Sequence, residues 1–203
     1  MQGVSGRARA GRDVVLRWGG FSLVELLIVI VLAAGAAAVA APIFAEWHAR
    51  DRIDRAARAL LASLTFARGE ALARSSRVTV CPVAGAARCV PPSQGCALGV
   101  WGWSCGWGVL AGPEHVGPAL QRHRYAALRR YPQVPGVAIS ATAARVEFTP
   151  PAGQVIGGFS HFEIAAVASP AGVQGDRLRR CIRIAAGGRP RLERGGCGKR
   201  DKT

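Results

Sequence analysis

"RWGGFSLVELLIVIVLAAGAAAVAAP" runs from Arg17 to Pro42, and from Phe21 onward its only ionisable side chain is Glu25. About twenty apolar residues suffice to cross a bilayer as a helix. A carboxylate next to hydrocarbon is costly and normally has a partner, so Glu25 marks the stretch as more than an anchor. The residues before it, Met1 to Gly20, carry Arg7, Arg9, Arg12 and Arg17 against Asp13 alone. The positive-inside bias therefore keeps that end in the cytoplasm and sends the rest of the chain across the membrane.

A cleavable secretory signal also begins basic and turns apolar, and "AVAAP" (Ala38 to Pro42) supplies small residues of the type that signal peptidase accepts. Two features oppose it: an acid early in the apolar region, and a helical pattern that continues past the cut. The segment "GGFSLVELLIVIVL" instead resembles the prepilin leader of type IV pilins and type II secretion pseudopilins. That resemblance implies cleavage by prepilin peptidase between Gly20 and Phe21, followed by methylation of the new Phe21 amine. It also implies an assembly role for Glu25, whose charge would meet the amino terminus of a neighbouring subunit. A carboxylate in a low-dielectric helix bundle is compensated by such a counter-charge. Pro42 falls where pilins commonly place a helix-kinking proline.

Beyond Pro42 the pattern becomes amphipathic. Ile53, Ala57, Leu60, Leu64, Ala67 and Ala71 recur at steps of three or four, with Arg50, Arg52, Asp54, Arg55, Arg58, Arg68 and Arg74 on the other faces. One helix is expected from Phe21 to about residue 75, its second half packed under a domain. The small residues Ala33, Gly35, Ala37 and Ala40 permit close helix approach in lipid, although alanine is abundant throughout.

From Val78 the texture changes to short β-prone segments: "VTVCPV", "CGWGVLA", "GVAISA", "ARVEFTP", "HFEIAAV", "RRCIRIAA" and "RPRLE". The expected fold is α+β, a long N-terminal helix on a small antiparallel sheet domain. Pro82 to Ser104 is rich in Gly, Pro and Cys and is expected to be a disulfide-tied loop without regular structure. Six cysteines, all beyond the apolar run and none in a C-x-x-C spacing, favour disulfides in the periplasm over a zinc site. Trp107 reads as core, whereas Trp101 and Trp103 are open between core packing and base stacking. Gly187 and Gly188 suggest a two-residue hairpin turn in which Ala186 opposes Arg189, which would bring Cys181 and Cys197 together as a disulfide. Six cysteines admit fifteen pairings, and those of Cys81, Cys89, Cys96 and Cys105 stay open.

In order, "ALARSSRVTVCPV", "WSCGWGVLAG", "VEFTPPAGQV" and "CIRIAAGGRPRL" followed by a cysteine are similar to GspH/FimT-type minor pilins. The resemblance implies three parts: a leader over 1–20, a transmembrane and amphipathic helix over 21–75, and a periplasmic β-rich domain over 76–203. It implies other pilin subunits as partners, and a place in a type IV pilus or, alternatively, in a type II secretion machine. The long insertion around Cys89 and Cys96 departs from the commoner pattern.

The 203-residue chain has 27 Lys and Arg against 12 Asp and Glu, a net charge of +15. From Arg177 onward ten Lys and Arg stand against Glu193 and Asp201. Such a cluster makes phosphate contacts that weaken with salt. "GRPR" (Gly188 to Arg191) looks like the Gly-Arg-x-Arg element that FimT-like proteins use in DNA capture. Arg183, Arg189, Arg191 and Arg194 are the candidate contacts for double-stranded DNA, with Arg189 and Arg191 on one face of an extended strand. Pro190 suits an edge strand. A solvated basic hairpin is the competing explanation. There is no Walker A loop, H-E-x-x-H or G-x-S-x-G, and the four histidines lack ligand spacing, so neither enzyme activity nor a metal or other cofactor is expected. Ser160 and His161 are neighbours in a strand and point to opposite faces, which excludes a nucleophile and base pair.

Overall fold

The computed structural model describes residues 22–83, 88–91, 93–97, 99–112, 126–167 and 173–198. The chain divides into two units, Met1–Ile43 and Phe44–Thr203. The expected processing residues, Gly20 and Phe21, lie outside the described residues.

Helix α1 spans Leu23–Ala73 and includes Pro42. Its start has a local cause: the Ser22 side chain accepts a hydrogen bond from the Val24 amide at 3.3 Å, and Leu26 N–H bonds the Ser22 carbonyl at 3.1 Å. Ser22 is thus the N-cap, and Glu25 stands three residues later, the spacing of a capping box. In the first unit the side chains of this helix are exposed all round: Leu26, Leu27, Ile28, Val29 and Ile30 each leave more than half their surface uncovered. By length and composition it is a helix able to cross a membrane.

In the second unit α1 buries one stripe, Ile53, Ala56, Ala57, Leu60, Ser63, Leu64, Ala67 and Ala71. The alanines allow the helix axis to come close to the sheet behind it. The stripe packs on two antiparallel sheets. The first holds β1 (Val78–Pro82), β4 (Gly106–Ala111), β5 (Ala126–Pro132), β7 (Val146–Thr149) and β8 (Gln154–Val155), in the spatial order β5-β4-β1-β7-β8. The second holds β6 (Val137–Ala141), β9 (Ser160–Ala166), β10 (Arg179–Ile184) and β11 (Pro190–Arg194), in the order β11-β10-β9-β6. A short helix, α2 (Val173–Arg177), precedes β10. Val78, Val80, Trp107, Phe148, Phe162, Ile164, Ile182 and Ile184 are almost wholly buried and share one core with the helix stripe.

One buried polar group ties helix to sheet. Ser63 donates to the Ala59 carbonyl at 2.7 Å and accepts from Trp107 Nε1 at 2.9 Å, so neither group is orphaned. Trp107 also stacks on Tyr131 with ring centroids 5.2 Å apart. Trp103 is buried against Phe162 and donates to the Ala143 carbonyl at 2.9 Å, whereas Trp101 stays 57% exposed. Of the two tryptophans open at the sequence level, one is core and the other surface.

Two expectations need correction. The segment 82–104 is not without regular structure. It contains a hairpin of β2 (Gly95–Ala97) and β3 (Val100–Trp101), turned at Gly99 with φ +73°, and a 3-10 turn over Gly102–Cys105. The Cys96–Cys105 bridge clamps this hairpin to its exit, which allows so short a ladder to persist. The second correction concerns the β10–β11 connection. Ile184 opposes Pro190, so Ala185 to Arg189 form a five-residue loop and Ala186 does not oppose Arg189. The wider loop has a tertiary cause: the Ala186 carbonyl accepts from Val155 N–H at 3.2 Å, and Gly188 lies on the Gly153 carbonyl, where a Cβ would approach to 1.9 Å. Gly188 has φ +71°, so both space and backbone conformation require glycine there.

Candidate assembly and anion-binding surfaces

Glu25 is exposed in the first turn of α1, flanked by Leu23, Val24, Leu26 and Leu27. Its position gives it a local function already, because a negative charge in the first turn is favoured by the helix dipole and by the unpaired amides there. The apolar side chains around it have no cover within their own unit, so lipid or another protein must supply it.

The basic residues near the C-terminus are distributed by the register of β9, β10 and β11. Residues directly opposite in antiparallel strands share a face, and successive residues alternate. Ser160, Ile184 and Pro190 form one row, and Phe162, Ile182 and Leu192 another; both belong to the core side. His161, Arg183 and Arg191 form a row on the opposite, outer side, next to a row of Glu163, Cys181 and Glu193. Arg180 and Arg194 oppose each other on the helix side. Thus the four expected DNA contacts do not share a face. Arg183 and Arg191 are together, Arg189 belongs to the hairpin loop, and Arg194 turns toward a cleft with Arg50, Asp54, Asp176, Arg177 and Arg180.

Charge pairing divides them further. Arg183 Nε donates to Glu193 at 3.0 Å and its Nη2 to the Cys197 carbonyl at 2.6 Å. Arg180 bonds Asp54 of α1 at 2.6 Å and the Arg177 and Arg179 carbonyls, with only 11% of its side chain exposed. Arg179 pairs with Glu163 at 2.8 Å. Among the described residues, Arg189 and Arg191 are exposed and have no acidic partner, so their charge is available to an external anion. The sequence lists charges but not their partners; the acids that neutralise Arg180 and Arg179 lie 126 and 16 residues away in the chain.

Disulfides fix this surface. Cys181 and Cys197 are bonded with Cα atoms 5.0 Å apart, folding the segment after β11 over the outer face of the sheet. There the Cys197 amide donates to Glu163 at 3.0 Å. Cys81 pairs with Cys89 and Cys96 with Cys105, so all six cysteines are consumed and no thiolate remains for a metal.

The GspH profile, described as type II transport protein GspH, matches residues 56–188, which include both sheets up to the hairpin loop. This chain belongs to the GspH family. Two crystal forms of the type IV minor pilin FimU from Pseudomonas aeruginosa (strain PAO1) are similar in structure. One has TM-score 0.46 and 19% identity over 69% of this chain and 91% of FimU; the other has TM-score 0.46 and 18% identity over 71% and 90%. No curated protein matches the sequence. Membership of the GspH family makes the chain a minor pilin or pseudopilin, a subunit that assembles with others of its kind.

Proposed function

We propose that this chain is an inner-membrane prepilin, cut between Gly20 and Phe21 by prepilin peptidase, methylated at Phe21, and built as a minor subunit at or near the tip of a type IV pilus. Its role is structural rather than enzymatic, and its β-rich domain faces the periplasm before assembly. The observation that carries this reading is the first half of α1, whose apolar side chains are uncovered on every side around one acid in the first turn. Lipid covers that surface first, and other subunits cover it in the fibre.

Glu25→Gln tests the assembly role, because glutamine keeps the size and hydrogen-bonding capacity of the side chain while removing the charge. The expected outcome is normal membrane levels with loss of the subunit from sheared fibres. Unchanged incorporation would overturn the role assigned to Glu25.

In the same reading the subunit captures double-stranded DNA through Arg189 and Arg191, whose charges have no acidic partner among the described residues. Full-length protein in detergent should bind a duplex in a salt-dependent manner. Replacing each arginine by Ala should reduce the slope of log affinity against log salt by about one. A second reading, a minor pseudopilin of a type II secretion machine, is supported by the family's own description. Deleting the gene distinguishes the two: loss of surface fibres supports the pilus, and loss of protein export with intact fibres supports secretion.

A further inference from the structure

Among the described residues of the β-rich unit, Phe159 is the most exposed large apolar side chain, with 83% of its surface uncovered. It ends the β8–β9 loop, where Gly157 and Gly158 both have positive φ, +94° and +80°. Ser160 beside it is buried on the core side and His161 faces the outer side of the sheet, while Phe159, just before the strand, is open to solvent. The strand register then locates its neighbours. Ser160 opposes Ile184, and Ile184 opposes Pro190, where the ladder ends, so Phe159 stands one residue beyond the last paired row, at the same end of the sheet as the Ala185 to Arg189 loop. The row on the other side of Ser160 is His161, Arg183 and Arg191. Two strand spacings, about 10 Å, separate the β9 side from the β11 side. The hydrogen bond from Val155 N–H, at the end of β8 before the Phe159 loop, to the Ala186 carbonyl ties that strand to the β10–β11 loop, so the aromatic and basic groups lie at one end of the domain.

A bare aromatic ring at the same end of a domain as arginines without acidic partners is a combination suited to a nucleic acid strand, with a base on the ring and phosphates on the guanidinium groups. Resting on the DNA-binding reading above, we infer that Phe159 is a base-stacking platform and that the preferred ligand is DNA with unpaired bases, such as a single strand or a frayed end. In an intact duplex each base face is covered by its neighbours, so Phe159 can stack only where a base is free. Arg189 and Arg191 contact the backbone of either form. Glu163 and Glu193 on the outer face are already paired with Arg179 and Arg183, so the charge left for phosphate there is that of Arg189 and Arg191.

The test uses full-length protein in detergent and two labelled probes, a thymidine oligonucleotide and a blunt duplex of the same length. Phe159→Ala is expected to weaken binding of the oligonucleotide by about tenfold and to change duplex binding less than about twofold. Phe159→Trp should retain oligonucleotide binding, and the salt slope should not move in either variant. Arg189→Ala with Arg191→Ala should weaken both probes together. Equal losses on the two probes in Phe159→Ala, or no loss on either, would overturn the stacking assignment while leaving the arginine-based reading intact. Loss of association with other pilin subunits in Phe159→Ala, without any change in oligonucleotide binding, would assign the residue to a subunit contact and overturn the proposal. Absence of binding to both probes by the unaltered protein at low salt would instead remove the parent reading.

Discussion

The two halves of α1 are built from similar residues and meet opposite surroundings. Before Ile43, Leu27 is 53% exposed and Leu23 73% exposed, with leucine, isoleucine and valine on every side. After it, Phe44 and Trp47 next to the junction are still 60% exposed, but from Ile53 on the buried residues, Leu60 and Leu64 among them, form one stripe. The difference lies in arrangement rather than hydrophobicity: a stripe is satisfied by one partner within the chain, whereas an all-round apolar surface needs an apolar medium. The largest expected effect follows. Leu64→Ala should destabilise the β-rich unit by about 2–5 kcal/mol, read as a shifted denaturant midpoint in near-UV circular dichroism of the oxidised protein in detergent. Leu27→Ala should change that midpoint by less than about 0.5 kcal/mol. Equal shifts would mean that the first half also packs on the domain, and the comparison would break.

Much of this contrast was legible in the sequence because period and composition are local signals. The spacing of Ile53, Ala57, Leu60, Leu64, Ala67 and Ala71 names the buried stripe directly, and the β-prone segments beginning at Val78, Cys105, Gly136, Ala144, His161, Arg179 and Arg189 overlap β1, β4, β6, β7, β9, β10 and β11. Strand β5, "AALRRYP", was not legible, since an edge strand half clothed in arginine has no alternating apolar face to reveal it. The hairpin loop was misread because Gly187 and Gly188 suit a two-residue turn locally, whereas contact with Gly153 and Val155 selects a longer one. Arg183, Arg189, Arg191 and Arg194 were visible as charges, but their division between faces depends on register and on Glu193 and Asp54. Phe159 carried no signal at all, because exposure is a tertiary property.

The second half of α1 also makes a polar contact that the first half has no means to make. Asp54 reaches across to Arg180 at 2.6 Å, and the Arg180 side chain is 11% exposed. Asp54→Ala leaves that guanidinium with only the Arg177 and Arg179 carbonyls. The expected loss is about 1–3 kcal/mol in the same unfolding measurement, since a hydrogen bond to a charged group is removed and a largely covered charge remains. Asp51→Ala is the control, because the Arg55 that it pairs with is 66% exposed and stays hydrated. If the two variants are equally mild, the helix is held to the second sheet by apolar packing alone.

The smallest effect belongs to the face of α1 that meets water. Glu70 and Arg74 form an i,i+4 pair at 2.6 Å, with 23% and 48% of their side chains exposed. Glu70 precedes Arg74, the favourable orientation for an ion pair on a helix, yet both charges are solvated and each side chain loses rotamer freedom when they meet. Glu70→Ala should therefore cost only about 0.3–0.5 kcal/mol, and added salt should erase most of the difference. A loss as large as that of Leu64→Ala would mean that charge rather than the apolar stripe fastens the helix end. The helix would then need no hydrophobic distinction between its halves. A small loss that vanishes in salt places the stabilisation of the second half in the stripe itself, and leaves the first half as the part whose cover must come from outside the chain.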